Sequence, residues 1–333
     1  MLWAALISDS ASALGQSNPS DLTAAEVQRS IALVREPGSS DEILSRALSI
    51  GQSLLRGGRF AEAVELYSVL AEKRPVDFAV VYGQALAIFN VGRTADAEPW
   101  ARRAMQIATT TAASDAGPEK SAEAADSLVL LAVILAVRKD DQEALKCLQK
   151  ALQIAPNHFD AQLSMGRLLF GMGDDNGAIK FLRSASSLQP ANTQAVFFLA
   201  TALEHRGDMD GALSTYRKLA ETRPDLYEGH LGLGVLLLKQ GDAKVDEGLR
   251  ELIRALEINP NLYEARVAVG RTLIARGQPA QAIPHLQRAA ELAPHNPEPH
   301  FQLSLAYRRL GQVDAAAQEA AIVKRINESR RGK

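Results

Sequence analysis

The chain has 333 residues, with 37 basic and 39 acidic side chains and a formal net charge of −2. That balance gives no global field of the kind that nucleic acid or an anionic membrane needs, which argues against both as partners. Cys147 is the one cysteine, so an internal disulfide and a thiolate metal site are excluded too. Apolar residues make up 47% of the chain but aromatic ones only 5%, so the core must come largely from Ala, Leu, Val and Ile.

In chain order, residues 1–20 open with MLWAALISDSASALGQSNPS. The apolar run from Leu2 to Ile7 is far too short to span a bilayer, and no basic residue precedes it. Ala11-Ser12-Ala13 nevertheless resembles an export cleavage site, so the segment reads either as a disordered leader or as a signal remnant. Residues 21–43 follow as a capping helix, DLTAAEVQRSIALVR with Asp21 as its cap, and a linker around EPGSS.

From there the chain repeats itself. Gly173, Ala178 and Pro190 recur 34 residues on as Gly207, Ala212 and Pro224. Pro260 comes after a two-residue insertion in GDAKVDEG, then Gly277, Ala282 and Pro294, then Gly311 with Ala316. Upstream lie Ala144 with Pro156, where Lys139 replaces the glycine, then Gly92 with Ala97, and Gly58 with Ala63 and Pro75. Each copy reads as two amphipathic helices broken at the glycine and stopped at the proline. Helices this short are marginal alone, so the copies must stack.

Eight copies begin at residues 44, 78, 125, 159, 193, 227, 263 and 297, giving repeats over 44–111 and 125–330 and a tail at 331–333. Residues 112–124, rich in Thr, Ser, Gly and Pro, read as an insertion loop or an extended helix end followed by a turn. They either bulge from the stack or divide two repeats from six. Pro99 should bend or shorten its helix. Gly166, Gly234 and Gly270 are expected to face Ala178, Gly248 and Ala282, allowing close approach. The last helix, with Gln318, Glu319, Lys324, Arg325, Asn327 and Glu328, is polar enough to close the stack.

A small residue at repeat position 8, Gly at 15, Ala at 20, an aromatic or Leu at 24, a small or apolar residue at 27 and Pro at 32 resemble the tetratricopeptide repeat. The resemblance covers most of the chain. It implies an all-α fold, an α-solenoid of stacked antiparallel helix pairs forming a right-handed superhelix. It also implies a concave groove lined by positions 2, 5, 9, 12 and 13 of the first helices, where partners of the family usually lie. The chain departs from the pattern at Lys139, at the two-residue insertion and at 112–124.

The groove candidates are Arg167, Phe170, Thr201, Glu204, Val235, Leu238, Arg271, Ile274, Leu305 and Arg308, a mixture of apolar and basic character. Position 5 reads Leu163, Phe197, Leu231, Val267 and Phe301, either an apolar peptide track or a row turned over to packing, the reading we favour. Acids at position 2 suit the helix dipole alone. No repeat carries the Lys at position 5 and Asn at position 9 with which the family's chaperone adaptors hold a carboxylate.

None of the six histidines has helical metal-site spacing, and no nucleophile motif occurs, so no cofactor, metal or enzymatic activity is expected. The expected role is a non-enzymatic scaffold binding a protein or peptide segment of apolar and acidic character. The alternative is a self-associating or cell-envelope assembly protein. The protein reads as soluble, without a membrane span; a cytoplasmic location is expected, with a periplasmic or secreted one as the alternative the leader raises.

Overall fold

The computed structural model describes residues 22–114 and 117–331. Among them there is no strand; seventeen α-helices follow one another in chain order. The leader, residues 1–20, the expected cap Asp21 and the last two residues of the tail lie outside the described residues. No helix of the described residues is long and apolar enough to cross a membrane.

The first helix, α1 (Ala24–Arg35), is capped by Thr23 rather than Asp21. The Thr23 hydroxyl accepts the Glu26 N–H at 3.2 Å, and the Glu26 carboxylate accepts the Thr23 N–H at 2.8 Å. This reciprocal pair satisfies two donors that a helix start leaves open. Val27, Ile31 and Val34 are buried where α1 lies on the two helices that follow.

The chain divides between Leu188 and Gln189 into two compact units. The first holds α1 and four antiparallel pairs: α2 (Asp41–Arg56) with α3 (Phe60–Lys73), α4 (Phe78–Asn90) with α5 (Thr94–Ser114), α6 (Pro118–Val137) with α7 (Asp141–Ile154), and α8 (Phe159–Gly171) with α9 (Asp175–Leu188). The second holds four more: α10 (Thr193–His205) with α11 (Met209–Thr222), α12 (Tyr227–Lys239) with α13 (Val245–Ile258), α14 (Tyr263–Ala275) with α15 (Pro279–Leu292), and α16 (Pro297–Arg309) with α17 (Val313–Arg331).

Local chemistry sets the ends. In six pairs the second helix stops two residues before a proline: Lys73, Ile154, Leu188, Thr222, Ile258 and Leu292 precede Pro75, Pro156, Pro190, Pro224, Pro260 and Pro294 by two. Proline disfavours helical geometry in the residue before it, so the helix ends there. The two-residue insertion is taken up as one short 3-10 turn, Asp242–Lys244.

At the break inside each pair the backbone turns left-handed. Lys139 is the one non-glycine in that geometry among the described residues, at φ 68°. A side chain there costs of the order of 1 kcal/mol, so Lys139→Gly is expected to stabilise the protein by about 0.5–1 kcal/mol. The denaturant midpoint should rise with an unchanged slope; a fall would show that the lysine contributes something the geometry does not reveal.

The structure bears on three sequence expectations. Of the two readings for residues 112–124, the extended helix end holds as far as Ser114, where α5 ends; α6 starts at Pro118, and residues 115–116 lie outside the described residues. Pro99 does not shorten its helix, for α5 continues to Ser114. As the sixth residue it removes a single intrahelical bond, and Pro284 holds the same place in α15. Gly234 faces Gly248 as expected, a Cβ on either lying 3.0 or 3.1 Å from the other's carbonyl oxygen, whereas Gly166 and Gly270 meet position 24 rather than position 20. A Cβ on Gly166 would lie 2.5 Å from Leu182, and one on Gly270 2.5 Å from Leu286.

The densest part of the first unit surrounds α6, whose residues from Leu128 to Ala136 are all buried among α4, α5, α7 and α8. An apolar circumference is what a helix enclosed on every side needs.

Candidate functional site

In the second unit the first helices of the pairs, α10, α12, α14 and α16, touch in succession and present one continuous row of homologous positions. Eight of the ten groove candidates lie on them. Arg167 and Phe170 belong to α8 in the first unit.

Position 9 is mixed. Arg271 is exposed, Thr201, Val235 and Leu305 are half-buried, and Arg167 is 5% exposed. Burial drives the Arg167 pKa down to about 10. The accessible groove cation expected at Arg167 is therefore corrected to an interior one, because its side chain lies inside the helix stack and not on the wall.

Position 12 turns out to be a seam between neighbouring repeats. Ile274 is 2% exposed and packs with Leu303 and Ala306 of α16, so it too is removed from the wall. Leu238 is half-buried against Gly248, and Glu204 accepts a hydrogen bond from Lys239 of the next pair. Phe170 is half-buried. Arg308 holds the same position but is exposed.

Position 5 splits. Leu163 and Val267 are buried and Leu231 is half-buried, as packing residues would be. Phe197 and Phe301, however, are each 50% exposed. The two phenylalanines, with Val235 and Leu305 beside them and Arg271 between, make the apolar and cationic surface of this row. Among the described residues neither Arg271 nor Arg308 has a carboxylate partner.

Position 4 carries a pattern the sequence reading left unexplained. His230 Nδ1 meets Glu251 at 2.7 Å and His300 Nδ1 meets Glu319 at 2.6 Å, each tying the two helices of one pair together. In the pair between them Arg266 and His285 take the equivalent places. Burial and then the Arg266 charge hold the His285 pKa below its usual value. Recurring polar residues at one position opposite Glu251 and Glu319 were the available signal.

Asp126, His158 and Asp160 bring one ligand atom each within 4.8 Å of one another in the first unit. The ring, however, is already committed. Its Nδ1 accepts the Ala161 N–H at 3.3 Å as a helix cap, which leaves the proton on Nε2, and Nε2 donates to Asp126 at 3.0 Å. In that tautomer the one ring lone pair, on Nδ1, is taken up by the helix cap. The cluster anchors the start of α8.

Family models described as Tetratricopeptide repeat match residues 48–112, 138–196, 195–226 and 273–329, well over half of the chain. A comparison with curated proteins found no match. Among solved structures, pilF of Pseudomonas aeruginosa is 18% identical with a TM-score of 0.53, covering 64% of this chain and 99% of its own. MamA of Desulfovibrio magneticus RS-1 is 19% identical with a TM-score of 0.46, covering 51% of this chain and 96% of its own. YrrB, described as a TPR protein with an unusual peptide-binding site, is 21% identical with a TM-score of 0.44, covering 61% and 96%. At these identities the likeness is one of fold.

Proposed function

The chain belongs to the tetratricopeptide repeat family, and on that premise we propose that it is a non-enzymatic scaffold holding a protein segment along α10, α12, α14 and α16. One observation carries the reading: Phe197 and Phe301 stand half out of the protein on the same row as an uncompensated Arg271. Large aromatics held partly open beside a cation are the usual anchors of a protein interface. A segment with apolar side chains for the phenylalanines and a carboxylate for Arg271 fits that surface. The family's geometry would make this row the concave side.

The test is affinity capture with the wild type and with Phe197→Ser, Phe301→Ser and Arg271→Glu. All three positions are exposed, so the variants should fold. Reversing the Arg271 charge should weaken capture about tenfold or more. A partner retained equally by all three variants would overturn the reading. Arg167 is left out of the set because its burial would confuse a folding defect with a binding one.

A further inference from the structure

The second helices of the pairs differ in how their charge is placed. Past the fifth residue α3, α11, α13, α15 and α17 each carry at least one glutamate, whereas α5, α7 and α9 carry no acid there. In those three helices the acids end at Glu98, Glu143 and Asp175. The cations continue. Arg103, Lys146, Lys150, Lys180 and Arg183 are all exposed, and none has a carboxylate partner among the described residues. Compensation of the helix dipole would put such charges in the last turn, yet none of the three helices has a basic residue there.

On α7 the exposed positions beyond Ala144 are Lys146, Gln149, Lys150 and Gln153, which share one face of the helix. Arg103 and Gln106 make the same kind of stripe on α5, and Lys180 and Arg183 on α9. Seven residues, the span of the α7 stripe, are about 10 Å along a helix. The first helices α4, α6 and α8 touch in succession, which sets α5, α7 and α9 in the same order. Arg102 of α5 donates to Glu143 of α7 at 2.8 Å across the gap between the two. The first unit thus carries a narrow positive strip over three helices, edged by the acids at their starts and with amides between its cations.

The composition of the strip selects its ligand. Trp100 and Phe181 have one ring face under Arg103 and Lys180, at 5.9 and 5.5 Å from cation to ring centre, so they are poor platforms for stacked bases. A chain of net charge −2 also lacks the long-range field that gathers nucleic acid. Within Arg103–Thr110, Lys146–Gln153 and Lys180–Ser187 no large apolar side chain is exposed to enter a membrane. Carboxylates on a flexible chain suit the strip, since they reach each cation singly and accept hydrogen bonds from Gln106, Gln149 and Gln153. We propose that the open flank of α5, α7 and α9 binds an acidic protein segment, a run rich in Glu or Asp lying extended across the three helices. This site is separate from the row on α10 to α16 and asks for no apolar side chain from its ligand.

The probe is a fluorescent oligoglutamate of about 12 residues, which reaches roughly 40 Å when extended. It is titrated with the full chain and followed by anisotropy, with circular dichroism as the check on folding. The wild type should bind it, and binding should weaken as salt rises, because exposed charges are screened. Lys150→Glu combined with Arg183→Glu should raise the dissociation constant about tenfold or more. Arg250→Glu on α13 and Arg271→Glu on α14 reverse exposed cations elsewhere and should leave it unchanged. A wild type that ignores oligoglutamate would overturn the proposal. So would an equal loss from Arg250→Glu, which would mark unspecific attraction, or from Arg271→Glu, which would move the ligand to the other row. Tighter binding of an oligouridine of the same length, or of phosphatidylserine vesicles, would overturn it in favour of nucleic acid or membrane.

Discussion

Replacing Tyr67 by alanine is expected to cost about 3–5 kcal/mol, the range for removing a large buried ring. Tyr67 lies in α3, is 1% exposed, and fits against glycines of the helices on both sides. A Cβ on Gly83 of α4 would sit 2.3 Å from the ring, and one on Gly51 of α2 2.9 Å from it. Gly83→Ala alone should therefore cost about 1–3 kcal/mol by overpacking. The same change made in a Tyr67→Ala background should cost much less, because the ring it would strike is gone. Denaturant unfolding of the four proteins yields the coupling; additive losses would show that the ring and the glycine do not touch. Tyr216 on Gly232 repeats the arrangement in the second unit, again with 2.3 Å to a would-be Cβ.

Arg167→Glu should be the most damaging charge reversal in the molecule, at about 3–5 kcal/mol, since it places an anion in a position that is only 5% exposed. Arg271→Glu, at the same repeat position but exposed, should stay within about 0.5 kcal/mol of the wild type. Thermal or denaturant unfolding separates the two directly. Equal stabilities would mean that Arg167 is open to water after all.

The contrast between these two arginines shows where sequence reasoning stops. Helix ends were legible because their causes are local: a proline two residues past Leu188 or Thr222 acts on the backbone next to it, whatever the neighbours do. The repeat period was legible because Ala178, Ala212 and Ala282 answer one steric demand. Side-chain exposure depends instead on which helix lies across the position. Ile274 and Arg308 share a place in the repeat, yet α16 covers one and no described helix covers the other.

The choice between loop and helix end at 112–124 stayed open for a similar reason. Thr109 and Thr111 look like loop residues by composition. Their hydroxyls donate back to the Met105 and Ile107 carbonyls at 2.7 and 2.9 Å, which lets them stay inside a long helix. Glycine at position 6 of a repeat, as at Gly83 and Gly232, was a visible sign of the tyrosine seats. It carries no weight until position 24 of the preceding repeat is set beside it.

Cohesion in each unit runs only between helices that are near in the chain, and changes of length have been absorbed where they fall, by a short turn at Asp242–Lys244 and by longer arms in α5 and α6. Among the described residues of each unit, no contact ties its first helices to its last. Evolution can accordingly duplicate or delete a helix pair without redesigning those already present, provided the new junction offers an Ala-sized gap for its neighbour.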